Sequence, residues 1–280
     1  MGYLGHREAA SAAGTSFLEV AKPTECVEGG WLFGIVNNNG IEGTHDMRVL
    51  DTAGVADAGW TLVDDLGSSL TGSSNAHLWL WRRKVEPGEG GSSGPTGFRF
   101  DNLGGNRTMV AAIIAFDGID PLNPIADFIL DGESGVPGTS IFCPNLSTTE
   151  ADQWVIRFGC VRANVHVAPI TGYAERVDFN TIDLQPASGA TFQIFWHELL
   201  KASVGATTAD IVSQSAPTVV AEHVGGTLIL ANEPEIPPET STLAPDGVAA
   251  SSGYANASTA NIANVQGDPS QQGGTGFTAN

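Results

Sequence analysis

The spacing of the apolar runs constrains this chain more than any other feature. From about Ser16 onward the runs are short, and Gly, Pro, Asn or Asp cuts them at intervals of roughly ten residues. The clearest runs are Trp31 to Val36, Trp60 to Val63, Ala76 to Val85, Thr108 to Phe116, Trp154 to Val161, Val177 to Leu184, Thr191 to Phe195 and Thr227 to Leu230. Turn sequences separate them, among them Asn37-Asn-Asn-Gly40, Glu86-Pro-Gly88, Asp120-Pro-Leu-Asn-Pro124 and Gly132-Glu-Ser-Gly135. Such a chain has little room for long amphipathic helices. The expectation is an all-β fold, an antiparallel jelly-roll-like β-sandwich over residues 16–230 with an extended C-terminal arm.

Two runs carry more detail. In His77-Leu-Trp-Leu-Trp-Arg-Arg, alternation places His77, Trp79, Trp81 and Arg83 on one face and Leu78, Leu80 and Arg82 on the other. Both faces carry bulk, which predicts a central strand. Thr108 to Phe116 is almost continuously apolar and reads as a strand covered on both sides, with small Ala111, Ala112 and Ala115 leaving room for the tryptophans. Helical propensity is confined to two places: His6 to Ala13 in an N-terminal segment, residues 1–15, and Phe195 to Ser203, where Leu199 and Leu200 stand beside charged residues.

Charge excludes several functions. The chain has 12 Lys plus Arg against 31 Asp plus Glu, a formal charge of −19. A phosphate backbone or anionic membrane is repelled by such a surface, so neither nucleic acid nor membrane is an expected partner. The first residues lack the basic, apolar and small-residue order of a signal peptide, so synthesis in the cytoplasm is expected. Cys26, Cys143 and Cys160 match no zinc spacing, and their odd number argues against a disulfide framework.

Catalytic constellations are hard to assemble. Gly132-Glu-Ser134-Gly135 lacks the strand-to-helix setting of a nucleophile elbow, and an ordinary turn is favoured. None of His6, His45, His77, His166, His197 and His223 has a helical partner at the spacing of a zinc protease, although His45-Asp46 could meet His77 or His166 in space. Glycoside hydrolysis needs two carboxylates on one groove, and the nearest candidates are Asp64-Asp65, Asp117 with Asp120, and Asp178 with Asp183. Asp117-Gly-Ile-Asp120 reads as a turn, with Ca²⁺ the alternative. Trp31, Trp60, Trp79, Trp81, Trp154 and Trp196 could stack on sugars, but each lies in an apolar run and reads as core. The expectation is a non-enzymatic protein with no catalytic, cofactor-binding or metal-binding residues and no cofactor.

After Leu230 the composition changes. Residues 231–280 hold few large apolar side chains, namely Ile236, Leu243, Val248, Tyr254, Ile262, Val265 and Phe277, and no Lys or Arg follows Lys201. That is too sparse for a core of its own. Glu233-Pro-Glu-Ile-Pro-Pro-Glu239 has the composition of an extended, semi-rigid spacer. The seven apolar residues are therefore expected to be partner-binding, each filling a pocket on a neighbouring subunit.

The order of three motifs carries a family likeness: Gly59-Trp-Thr-Leu-Val63, His77-Leu-Trp-Leu-Trp-Arg-Arg-Lys-Val-Glu-Pro-Gly-Glu89 and Ala115-Phe-Asp-Gly-Ile-Asp-Pro-Leu-Asn-Pro-Ile125. In this order they resemble virion proteins of tailed bacteriophages, especially minor tail proteins of actinobacterial phages. There the third motif has Tyr where this chain has Phe116. Ala244-Pro-Asp-Gly-Val, Asn256-Ala-Ser, Asn264-Val-Gln-Gly-Asp-Pro269 and Gly276-Phe-Thr-Ala279 look like a connector in the same proteins. The resemblance implies a viral structural protein of the tail tip or baseplate. It would be located in the virion, partnered by other virion proteins, and a homo-oligomer. Open alternatives are a capsid decoration or head-fibre protein, a module binding a host-surface glycan, and a sandwich glycosidase.

Overall fold

The computed structural model describes residues 2–11, 15–40, 47–56, 59–67, 75–103, 105, 107–131, 139–180, 192–207, 210–213 and 220–234. These fall in one compact unit, Met1–Glu235. The unit Ile236–Asn280, and with it Ile236, Leu243, Val248, Tyr254, Ile262, Val265 and Phe277, lies outside the described residues.

All regular structure among the described residues is β. The first half of the body holds β1 (Gly2–Ala10), β2 (Phe17–Ala21), β3 (Trp31–Gly40), β4 (Met47–Asp51), β5 (Trp60–Gly67), β6 (Asn75–Lys84), β7 (Gly97–Asn102) and β8 (Met109–Asp117). The second half holds β9 (Ile125–Asp131), β10 (Ser140–Cys143), β11 (Ser147–Thr148), β12 (Gln153–Val161), β13 (Ala174–Asn180), β14 (Gln193–Lys201), β15 (Gly205–Ala206), β16 (Asp210–Ser213) and β17 (His223–Leu230).

Two five-stranded antiparallel sheets, β1-β8-β3-β6-β5 and β13-β14-β12-β17-β9, pack face to face. Phe33, Ile35, Leu80 and Phe116 of one meet Ile156, Phe158, Trp196 and Leu228 of the other in the largest core. Each such side chain, fully buried, contributes about 1.5–3 kcal/mol. The Asn37 amide crosses this core, donating to the carbonyls of Val161 (3.4 Å) and Gln193 (3.2 Å). Outside the first sheet lies β2-β7-β4, closing a second core around Trp60, Trp79, Trp81, Phe98 and Phe100. Outside the second lies the β10-β16 pair, whose Ile141 and Cys143 share a third core with Phe195 of β14.

This layering explains the sequence pattern. In β6, Leu78 and Leu80 face the opposing five-stranded sheet, whereas Trp79 and Trp81 face the outer three-stranded sheet. Strand β8 is buried along its apolar length because both of its faces are covered. Ala111 and Ala115 lie on the tryptophan face, and Ala112 on the other.

Both expected helices are strands. His6 to Ala10 belongs to β1, which pairs with β8 and brings residues 2–10 into the sandwich, so the body begins before residue 16. Phe195 to Lys201 belongs to β14, which pairs with both β12 and β13. Helix propensity amounts to tenths of a kcal/mol per residue, and a two-sided ladder with alternating burial of Ile194 and Trp196 against Phe195 and His197 outweighs it.

The two halves repeat one topology. In the first, β1-β8-β3-β6 over β2-β7-β4 interleaves strands as a jelly roll does, except that β5 joins the first sheet beside β6. In the second, β9-β17-β12-β14-β13 has the same order, and β10-β16 stands where β2-β7 stands. The irregularities repeat too. A register shift falls between Tyr3 and Gly5 in β1 and at the matching end of β9; another falls between Leu62 and Asp64 in β5 and between Glu175 and Val177 in β13. The facing contacts obey the same rule, since β1 lies over β13 as β9 lies over β5, and β8 over β14 as β17 over β6. The body is thus one β-sandwich whose two five-stranded sheets, each built from one half of the sequence, repeat a strand order about a pseudo-two-fold.

Candidate functional site

With the broad faces of both sheets covered, the pseudo-two-fold leaves two related places where the sheets meet at their edges: β1 against β13, and β5 against β9. Register makes them comparable residue by residue. Trp31 of β3 matches Trp154 of β12; two residues on, Phe33 pairs with Arg82 as Ile156 pairs with Glu198. Val63 and Arg176 are the extra residues of the two shifts, and Tyr3 opposite Phe116 matches Ile125 opposite Leu230.

At the first edge these positions form a paired polar cluster. Arg176 donates from Nε to Glu198 Oε1 at 2.6 Å, and its guanidinium lies 4.2 Å from the Tyr3 ring centre. Tyr3 Oη is 2.6 Å from His6 Nδ1. Burial raises the Glu198 carboxyl above its usual range, and Arg176 opposes that shift. The Tyr3 hydroxyl is raised by burial as well, against the pull of Arg176.

At the second edge the same positions hold Arg82, Val63 and Ile125, and a groove of about 380 Å³ remains, lined by Leu62, Val63, Arg82, Ile125, Ala126, Asp127 and Phe128. Among the described residues Arg82 has no carboxylate partner; its guanidinium sits 5.9 Å from the Trp31 ring centre. Asp127 has one oxygen turned back onto the amide of Phe128 at 2.9 Å. Leu62 is 40% exposed. The groove therefore offers a cation without a carboxylate partner among the described residues, a largely polar lining that includes Asp127, the side chains of Leu62, Val63, Ile125 and Phe128, and two edge strands with backbone groups to pair. Such a site can take an extended segment that brings a carboxylate. Alternation along β6 places Arg82 correctly, but nothing in the sequence marks it as a cation whose facing position, Val63, carries no charge where the counterpart edge has Arg176.

The acids and histidines picked out from sequence lie elsewhere. Asp65 meets His77 Nε2 at 2.8 Å, and His77 stacks on Trp79 at 3.9 Å. The matching Asp178 accepts from Gln193, the register equivalent of His77, and also meets His166 Nδ1 at 2.9 Å and the Val167 amide at 3.1 Å. Burial raises the Asp178 carboxyl, and these bonds oppose that shift. So tied, it joins the chain around His166 to β13. Asp120 accepts from the amides of Leu122 (2.7 Å) and Asn123 (3.1 Å), which makes Asp120 to Asn123 a side-chain-capped turn. Ser134, His45, Asp46 and Asp183 lie outside the described residues.

Five of the tryptophans are buried and Trp154 is half-buried, packed against Phe116, so none offers an open face for a sugar. Among the described residues no group of three or more His, Cys, Asp and Glu converges as a metal site. No family model, curated protein or solved structure matches this chain.

Proposed function

We infer that the protein is a non-enzymatic structural component of a tailed-phage particle, a minor tail protein of the tip or baseplate. It assembles through its sandwich body and through the segment bearing Ile236, Leu243, Val248, Tyr254, Ile262, Val265 and Phe277. The motif order from Gly59 to Ile125 supports the reading, and its carrying observation is the disposition of the body. The broad faces of both five-stranded sheets are covered, by each other and by the outer strands, so the β surfaces left for further contacts are the edge strands β1, β5, β9 and β13 and the outward face of β2-β7-β4. An edge strand presents a row of unpaired backbone groups, the usual template for adding a segment of another chain. The charge of −19 directs docking toward neutral or basic protein faces.

Locating the chain in purified particles by electron microscopy, with an antibody against the body, tests the reading. Label at the tail end supports it. Particles that carry no copy of the chain overturn it, and label on the capsid shell moves the assignment to a decoration or head-fibre protein.

A further inference from the structure

The edge between β5 and β9 differs from its counterpart in its charge pairing: Arg82 has no carboxylate partner among the described residues, and the one carboxylate lining the groove, Asp127, has an oxygen bonded to the Phe128 amide. At the β1–β13 edge, Glu198 is answered by Arg176, whose guanidinium lies against the Tyr3 ring. At the β5–β9 edge, Arg82 stands in the register position of Glu198, while the position of Arg176 is Val63 and that of Tyr3 is Ile125. A carboxylate from outside the body would complete this edge as Arg176 completes the other.

The chain contains a segment with that chemistry. Beyond the last described residue, Pro234, come Glu235, Ile236, Pro237, Pro238 and Glu239, and no Lys or Arg follows anywhere to the C-terminus. The body ends beside the groove: the Ala231 amide donates to the Pro124 carbonyl (3.0 Å), next to groove residue Ile125, and the Glu233 amide donates to the Gly118 carbonyl (3.3 Å). Pro234, Pro237 and Pro238 fix three φ angles within five residues, which favours an extended run and opposes an immediate reversal onto the groove beside its origin.

We propose that the β5–β9 groove receives residues 235–239 of a second copy, with Ile236 against Leu62 and Phe128 and a glutamate, Glu235 or Glu239, paired with Arg82. This rests on the assembly role inferred above and names the partner surface for it. Leu62 and Phe128 supply the apolar contact, Arg82 the charge, and the free edges of β5 and β9 the hydrogen bonds for the amides of Glu235, Ile236 and Glu239, the residues there that are not proline.

Sedimentation velocity of the full chain across micromolar concentrations is the test, with circular dichroism confirming that each variant is folded. The wild-type chain self-associates. Arg82→Glu weakens that association at least about tenfold, as does Glu235→Lys with Glu239→Lys, and combining the two restores it, since a pairing energy of ~1.4 kcal/mol is a factor of ten. The restored combination also excludes misfolding as the cause of the loss. A chain that stays monomeric, an Arg82→Glu variant that associates like wild type, or a charge swap that fails to restore association overturns the proposal. These outcomes are separate from the particle test: a monomeric chain found at the tail tip overturns the docking site and leaves the assembly role standing.

Discussion

Gly225 is the position where one added methyl group interrogates the layering of the second half. It lies in β17, held on one side by β12 and on the other by β9, with the β10 strand passing directly over it. A Cβ built there would overlap the Phe142 carbonyl oxygen, and would stand 3.0 Å from the carbonyl carbon and 2.9 Å from Ile141 Cγ2. Comfortable carbon–carbon separations are about 3.5–4.0 Å, so the outer strand must lift by roughly half an ångström or more. Neither partner yields easily, since β17 is fixed by two ladders and Ile141 is itself fully buried. Overpacking costs about 1–3 kcal/mol, and a clash with backbone belongs at the upper end. For a body of this size about 3 kcal/mol corresponds to a fall in Tm of roughly 6–12 °C. Gly29→Ala is the control: it has a φ of 79° but open space for a Cβ, so only the left-handed backbone is penalised, by about 1–2 kcal/mol. Thermal unfolding followed by far-UV circular dichroism measures both. A Gly225→Ala protein that melts with or above Gly29→Ala would refute the close approach of β10 to β17.

His197 is fully enclosed, and burial alone lowers its pKa from 6.5 to about 4, so its 3.7 Å contact with Glu175 is not an ion pair at neutral pH. The unfolded chain takes up this proton near pH 6.5 and the folded one only near 4, so stability falls as pH drops through that window, by on the order of 3 kcal/mol. Asp178 and Glu198, raised by burial, act in the opposite sense, and His197→Gln should therefore flatten or invert the pH dependence measured by urea unfolding. The three cysteines are buried, and burial pushes the Cys160 thiol up, so a thiol reagent should label them only after denaturation; rapid labelling of the native protein would contradict their placement. Truncation after Glu235 should leave the melting temperature of the body within a few degrees of the full chain, because the described cores lie within Met1–Glu235. Labelled duplex DNA should show no salt-sensitive shift at micromolar protein, given the charge of −19.

Much of the fold was legible because period-2 burial leaves a direct mark on sequence. The alternation in β6 assigned Leu78 and Leu80 to one layer and Trp79 and Trp81 to another, and the unbroken apolar run of β8 announced that both of its faces are covered. The N-terminal strand was hidden by its Ala, Arg and Glu, good helix formers in isolation, and only the pairing partner Val110 to Asp117 decides their conformation. The duplication was hidden for a different reason. Across register-equivalent positions of the two five-stranded sheets the identical pairs are Trp31 with Trp154, Val110 with Val224, and Asp65 with Asp178. The same space is filled by unlike means: Gly34 leaves room for the Phe100 and Trp60 rings, whereas its equivalent Arg157 fills that room itself, donating to the Pro144 carbonyl at 2.6 Å and to Thr207 at 3.1 Å. Strand order and register are repeated between the halves while residue type is not. The groove at Arg82 was illegible because it is defined by a missing partner, which only register reveals.

Building both five-stranded sheets from one chain has a consequence for assembly that a homodimer of one half would not share. In an isologous dimer both edges of the facing sheets carry the same residues, so a docking edge occurs twice. Here the two edges are separate stretches of sequence, and they differ: one holds the Tyr3–Arg176–Glu198 cluster and the other the groove around Arg82. One groove and one acidic segment per chain make the proposed contact heterologous. Each copy gives its segment to one neighbour and receives another's, and the copies close into a ring, of which a reciprocal pair is the smallest, or continue as an open array. Mass photometry distinguishes these outcomes: a ring has one mass at every concentration above its midpoint, whereas an array keeps growing. A component of a tail tip, where rotational symmetry limits the number of copies, should close. Continued growth with concentration would count against that position in the particle even if Arg82 proves to be the docking residue.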